Sequence, residues 1–153
     1  MSQFNVIIPM AGESRRFNYE FKPFIQISDE TFIELAYKYF EEYRERICKL
    51  YFIITQQQED EFNINYKLKK IFSNYQLIII PKKTAGPFMT IKKSLSKINT
   101  DIPYFICDCD HSINIKPMID KIDNMNDLSI IIPYWDIENE NENIEDWGIM
   151  YLE

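Results

Sequence analysis

The chain has 153 residues, 27% of them charged, and a formal net charge of −7; that length suits one domain with its own core. So acidic a balance excludes nucleic acid as a main partner, because phosphate-backbone binding draws on clustered positive charge. No apolar run approaches the ~20 residues of a membrane span, and nothing reads as a leader or a lipidation signal, so a cytoplasmic protein without a membrane partner is expected.

Phe4 to Pro9 reads as a short buried strand. It breaks into Met10-Ala11-Gly12-Glu13-Ser14-Arg15-Arg16-Phe17 and, after a gap, Lys22-Pro23-Phe24. Phe32, Leu35, Ala36, Tyr39, Phe40, Tyr43 and Ile47 then recur at helical spacing, with Ser28 and Asp29 as start signals. A second strand is expected over Leu50 to Thr55, and a second helix over roughly Glu59 to Phe72 with Phe62, Leu68, Ile71 and Phe72 as its stripe. The third strand spans Leu77 to Pro81, and the third helix about Pro87 to Lys97, with Pro87 suited to a first turn. Pro103 to Cys107 follows as a strand, Pro117 to Met125 as a helix, and Leu128 to Tyr134 as a last strand. The acidic run from Asp136 to Asp146 reads as a solvated loop. Cys48, Cys107 and Cys109 are an odd set and are expected as reduced thiols.

Continuous apolar runs are how strands buried on both faces read, and their alternation with helices predicts a mainly parallel sheet. The expectation is a single α/β domain over residues 1–153, three-layer α/β/α and Rossmann-like. In such a sheet ligands collect at the carboxyl ends of the strands. The loop after the first strand, Thr84-Ala85-Gly86 after the third and Asp108-Cys109-Asp110 after the fourth all fall on that edge.

Each of these segments carries chemistry. Ala11, Gly12, Glu13 and Ser14 form a small-residue turn whose backbone N–H groups can approach an anion closely. Arg16 and Lys22 add the long cationic arms that a triphosphate needs. Asp108 and Asp110, just past a buried strand, call for a cationic partner, and a hard divalent cation such as Mg2+ suits them; the alternative is that they cap the next turn. Thr84 and Gly86 fit either a nucleotide contact or an ordinary strand-to-helix connection. Lys82 and Lys83 are expected in solvent, and His111, the sole histidine, as a surface or hydrogen-bonding residue. Cys107 and Cys109 lack further ligands at zinc spacing.

The opening loop resembles the signature of the sugar-phosphate nucleotidyltransferases: a strand, Ala-Gly-x-Gly-Ser/Thr-Arg-Phe/Leu, a short gap, then Lys-Pro. Gly12, Arg16, Phe17, Lys22 and Pro23 stand where that pattern wants them, while Ser14 replaces the second glycine and Arg15 the small residue. Thr84-Ala85-Gly86 looks like the family's second fingerprint, and Trp147-Gly148-Ile149-Met150-Tyr151 resembles the strand whose glycine, here Gly148, lies against the acceptor. The resemblance implies transfer of a nucleoside monophosphate from a triphosphate to a sugar 1-phosphate or a phosphocholine-like acceptor, with release of pyrophosphate, as in NDP-sugar and surface-polysaccharide biosynthesis. It implies Lys22 on the α-phosphate, Arg16 on the β- and γ-phosphates, Ala11 to Ser14 and Thr84 to Gly86 around the nucleotide, and Mg2+ on Asp110 with Asp108 in support. Family domains run longer, so the chain is expected to lack a C-terminal acceptor-binding half, which a second copy or a partner chain would supply. Two other readings remain. Asp108-Cys109-Asp110 also fits the Asp-x-Asp motif of glycosyltransferases that use nucleotide sugars, and a short chain with Ser14 in the loop also fits a non-catalytic nucleotide-binding or assembly domain.

Overall fold

The computed structural model describes residues 2–124 and 130–132. In chain order the elements are β1 (Phe4–Pro9), the short strands β2 (Gln26–Ile27) and β3 (Glu30–Thr31), α1 (Phe32–Tyr37), β4 (Ile47–Thr55), α2 (Gln56–Phe62), α3 (Ile64–Ile71), β5 (Tyr75–Ile80), α4 (Pro87–Ser94), β6 (Tyr104–Ile106) and α5 (Lys116–Asn124). The main sheet has the order β5-β4-β1-β6, and every neighbouring pair in it is parallel. The chain therefore builds outward from β1 through β4 to β5, then returns to lay β6 on the other side of β1. That reversal makes β1 and β6 the switch point of the sheet, the place where ligands collect in open α/β sheets.

Strand alternation divides the core into two layers of contact. Val6, Ile8, Phe52 and Ile54 face Ile33 of α1, Ile64 and Leu68 of α3, and Ile119 of α5. Ile7, Tyr51, Ile53 and Ile78 face the opposite way, onto Ile91 of α4 and Ile98. Helices thus cover both faces, which is the three-layer arrangement expected from the sequence. Each fully buried side chain of this size contributes about 1.5–3 kcal/mol relative to exposure. Phe105 completes the β6 side by packing edge-on to Phe4 and Phe40, with ring centroids 4.9 and 5.5 Å away.

The local differences from expectation have physical causes. Ser28 and Asp29 do not start a helix; they turn the β2–β3 hairpin, with Ser28 at φ 57°. The helix starts at Thr31, whose backbone N–H and hydroxyl both donate to the Glu34 carboxylate, at 2.8 and 2.6 Å. After Tyr37 the chain tightens into 3-10 turns over Lys38–Arg46, and β-branched Ile47 enters β4 opposite Phe4 instead of ending a helix. The single helix expected near 59–72 is two, split at Asn63, which takes the left-handed φ of 50°. Of the strand expected over 128–134, residues 130–132 are described and are not in a strand. The acidic run, the Trp147–Tyr151 segment and Gly148 lie outside the described residues. Among the described residues no helix is long and apolar enough to cross a membrane.

Candidate nucleotide-binding site

The loop that follows β1 is fastened at both ends. Gln58, in the first turn of α2, donates from its amide to the carbonyls of Met10 and Gly12 at 3.1 and 2.8 Å. Its oxygen accepts the Thr55 backbone N–H at 2.9 Å. One side chain thereby joins the end of β4 to the start of the loop. At the far end the Ser14 hydroxyl accepts the Lys22 backbone N–H at 3.0 Å. Between these ties Ser14, Asn18 and Tyr19 all have positive φ, at 51°, 51° and 64°. Such backbone is costly for residues other than glycine and persists where surrounding contacts impose it.

Gly12 is needed neither for backbone conformation nor for packing. Its φ is not in the left-handed region, and an added Cβ would meet nothing within 4 Å. Open space beside a bare backbone is what a closely approaching ligand requires. That space is a cleft of about 640 Å³ bounded by Ala11 to Ser14, by Gln58 and Phe62 of α2, and by Lys82 and Lys83 after β5. Ala11, Gly12, Glu13 and Ser14, all expected at the site, therefore line one wall.

Lys22 and Asp110 do not line this cleft; they meet each other instead. The Lys22 ammonium donates to Asp110 Oδ2 and lies 5.1 Å from the centre of the Phe17 ring and 5.8 Å from that of Phe32. Their side chains are only 25% and 19% exposed, so this pair, unlike a surface one, is largely shielded from solvent. It bridges the loops after β1 and β6 across the switch point. Asp110 Oδ1 lies 3.7 Å from His111 Nδ1, and Asp108 Oδ2 is 3.2 Å from the same nitrogen. Asp108 is exposed. Among the described residues no three His, Cys, Asp or Glu side chains gather to hold a metal by themselves. Magnesium asks for less: one or two carboxylates, with water and phosphate oxygens completing its shell. The hard oxygens of Asp110 and Asp108 fit that requirement.

Arg16, Thr84 and Gly86 do not line the cleft either. Arg16 is exposed on the 3-10 turn Arg15–Phe17 and pairs with no carboxylate among the described residues. The Thr84 hydroxyl donates to the Gly86 carbonyl at 2.8 Å and lies 2.6 Å from the Thr90 hydroxyl, shaping the start of α4. Gly86 has extended backbone at φ 163°. Lys83 is exposed, yet it reaches across the cleft mouth to Glu13, which Arg15 also binds at 2.6 Å. Those two cations, Lys83 foremost, hold the Glu13 carboxyl below its usual range. Burial, aided by Asp108 for Cys107 and Asp110 for Cys109, pushes both thiols up to about 12. Sequence reasoning missed Gln58, because a glutamine gains this role only when tertiary structure brings its amide under the loop.

No family model matches the chain, and no curated protein does either. Solved structures do. A glucose-1-phosphate thymidylyltransferase, described as putative, from Bacillus anthracis, in complex with a sucrose, superimposes with a TM-score of 0.63 at 14% identity, over 80% of this chain and 51% of that one. A 4-diphosphocytidyl-2C-methyl-D-erythritol synthase from Anaerococcus prevotii gives 0.57 at 15% identity, over 79% and 51%. A nucleoside-diphosphate-sugar pyrophosphorylase from Vibrio cholerae gives 0.56 at 20% identity, over 69% and 47%. The chain spans about half the length of each of these proteins. Its structural neighbours are thus nucleotidyltransferases, and the chain has their fold.

Proposed function

We propose that the protein binds a nucleoside triphosphate along the Ala11–Ser14 loop and transfers its nucleoside monophosphate to a phosphorylated acceptor, with pyrophosphate leaving. The observation that carries this reading is that the one loop after β1 presents a bare Gly12 backbone to the cleft and also carries Lys22, paired with Asp110 of the loop after β6. The names of the neighbours point the same way, to sugar phosphates or erythritol-type alcohols as the acceptor class. A sugar 1-phosphate or a phosphocholine-like molecule is the acceptor we favour.

In-line phosphoryl attack needs alignment and positive charge where negative charge builds up, and little covalent help. The N–H groups of Ala11 to Ser14 hold the triphosphate. Lys22, kept in place by Phe17, Phe32 and Asp110, offers its ammonium to the α-phosphate, and Arg16, on the exposed turn beside it, takes the departing phosphates. Asp110, with Asp108, would hold magnesium, which when bound neutralises phosphate charge.

Calorimetric titration with CTP, UTP, GTP, ATP and dTTP, with and without Mg2+, tests the proposal. Selective Mg2+-dependent binding that Lys22→Ala loses is expected, as is turnover slowed by at least ~10²-fold in that variant where an acceptor is found. A well-folded chain that binds no triphosphate overturns the reading and favours a scaffold role.

A further inference from the structure

We propose that Arg15 and Lys83 are a polyphosphate-binding pair at the mouth of the cleft, and that the Glu13 carboxylate occupies it until a ligand arrives. This rests on the triphosphate reading above. Arg15 Nε donates to Glu13 Oε2 at 2.6 Å, and Lys83 Nζ donates to Glu13 Oε1. Each carboxylate oxygen thus takes one cation. The two cations come from different loops, one after β1 and one after β5, and converge on a single anion beside the open space at Gly12. Guanidinium and ammonium groups bind phosphate oxygens through the same donors that they give a carboxylate. Glu13 is in effect a stand-in for a phosphate.

Exposure decides which anion wins. The side chains of Arg15 and Lys83 are 69% and 59% exposed, so their hold on Glu13 is weak and is screened by salt. A polyphosphate carries several negative charges against the one on Glu13, and it gains the loop N–H groups as well. The incoming ligand therefore displaces the carboxylate and takes over both cations. A purely structural ion pair makes the opposite forecast for one substitution. If Glu13 only braced the two loops, removing its charge would loosen the cleft and weaken binding. As a competitor for the same cations, its removal strengthens binding.

The experiment is calorimetric titration of the full chain with inorganic pyrophosphate, which has no base to recognise, and with whichever triphosphate the wild type binds. Glu13→Gln is expected to tighten both by roughly three- to tenfold, and Lys83→Ala and Arg15→Ala to weaken both by a similar factor. The Glu13→Gln/Lys83→Ala combination should lie between the two, and Lys83→Ala should reduce the salt dependence. Thermal melts confirm that each variant is folded. Weaker or unchanged binding by Glu13→Gln overturns the proposal. If the wild type binds a triphosphate, Lys22→Ala abolishes that binding and the Glu13 and Lys83 variants change nothing, this proposal fails and the triphosphate reading stands. If neither wild type nor Glu13→Gln binds any polyphosphate, both fail.

Discussion

The Ser14 hydroxyl accepts the backbone N–H of Lys22, eight residues further on, at 3.0 Å. A serine thus pins the base of the loop that carries the lysine, at a position where the nucleotidyltransferase pattern has glycine. Its left-handed φ of 51° would suit glycine without strain. Serine accepts that strain and returns a hydrogen bond.

Two substitutions separate these contributions. Ser14→Ala keeps the strain and loses the bond, and should destabilise the protein by about 1–2 kcal/mol. Ser14→Gly loses the bond but relieves the strain, and should fall within about 0.5 kcal/mol of wild type. Thermal or denaturant unfolding reads both. A glycine variant less stable than the alanine one would contradict this account of the loop.

Gly12 should show the reverse pattern, in which stability is spared and binding is not. A methyl group there meets no protein atom within 4 Å, so Gly12→Ala should change unfolding stability by no more than about 0.5 kcal/mol. The same methyl stands where a ligand would touch backbone, and triphosphate affinity should drop at least ~10-fold. Unchanged affinity would show that the ligand does not approach the loop at this point.

The shielded Lys22–Asp110 pair predicts strong coupling. Lys22→Met leaves Asp110 without its cation, and Asp110→Asn leaves Lys22 without its anion; each should cost about 1–3 kcal/mol. The double variant should cost less than the two single costs added together, because neither charge is then stranded. Simple additivity in a denaturant-melt cycle would mean that the two charges do not depend on each other in solution.

The thiols give a pH signature. Cys107 and Cys109 are raised from 9.0 to about 12, so the folded state keeps its protons where the unfolded chain has lost them. Their contribution to stability is complete below about pH 9 and disappears progressively as pH climbs toward 12. At pH 8 an alkylating reagent should modify Cys107 and Cys109 more slowly than Cys48, since the thiolate is the reacting form and their raised pKa suppresses it. Mass spectrometry of a timed iodoacetamide reaction would reveal it, and faster labelling of Cys107 or Cys109 would contradict the burial described.

The layered fold was legible because its signals are local and repeated. Val6-Ile7-Ile8 and Phe52-Ile53-Ile54 are apolar on both faces, and such runs belong in the middle of a parallel sheet. The β2–β3 hairpin was not legible, since two-residue strands leave no alternation to read and Ser28-Asp29 serves a turn as readily as a helix start. At the site, motif spacing singled out the loop, Lys22 and Asp110 as candidates. It did not foresee that Lys22 would rest on Asp110, or that Lys83 would cross the cleft to Glu13. Those pairings join residues 88 and 70 positions apart, and no spacing rule reaches that far.

The central place of β1 also sets an order of assembly. Its contacts with β4 close a moderate loop, whereas its contacts with β6 require a much longer one, and long closures come late and slowly. The nascent chain can build β1, β4 and β5 into a half-formed sheet before β6 docks on its open edge. The cleft, lined by segments after β1, β4 and β5, would then exist before the lysine finds its aspartate. Hydrogen exchange should find the backbone of β6 the least protected of the four parallel strands, so that the first part of the sheet to loosen is also the part that carries Asp110 to Lys22.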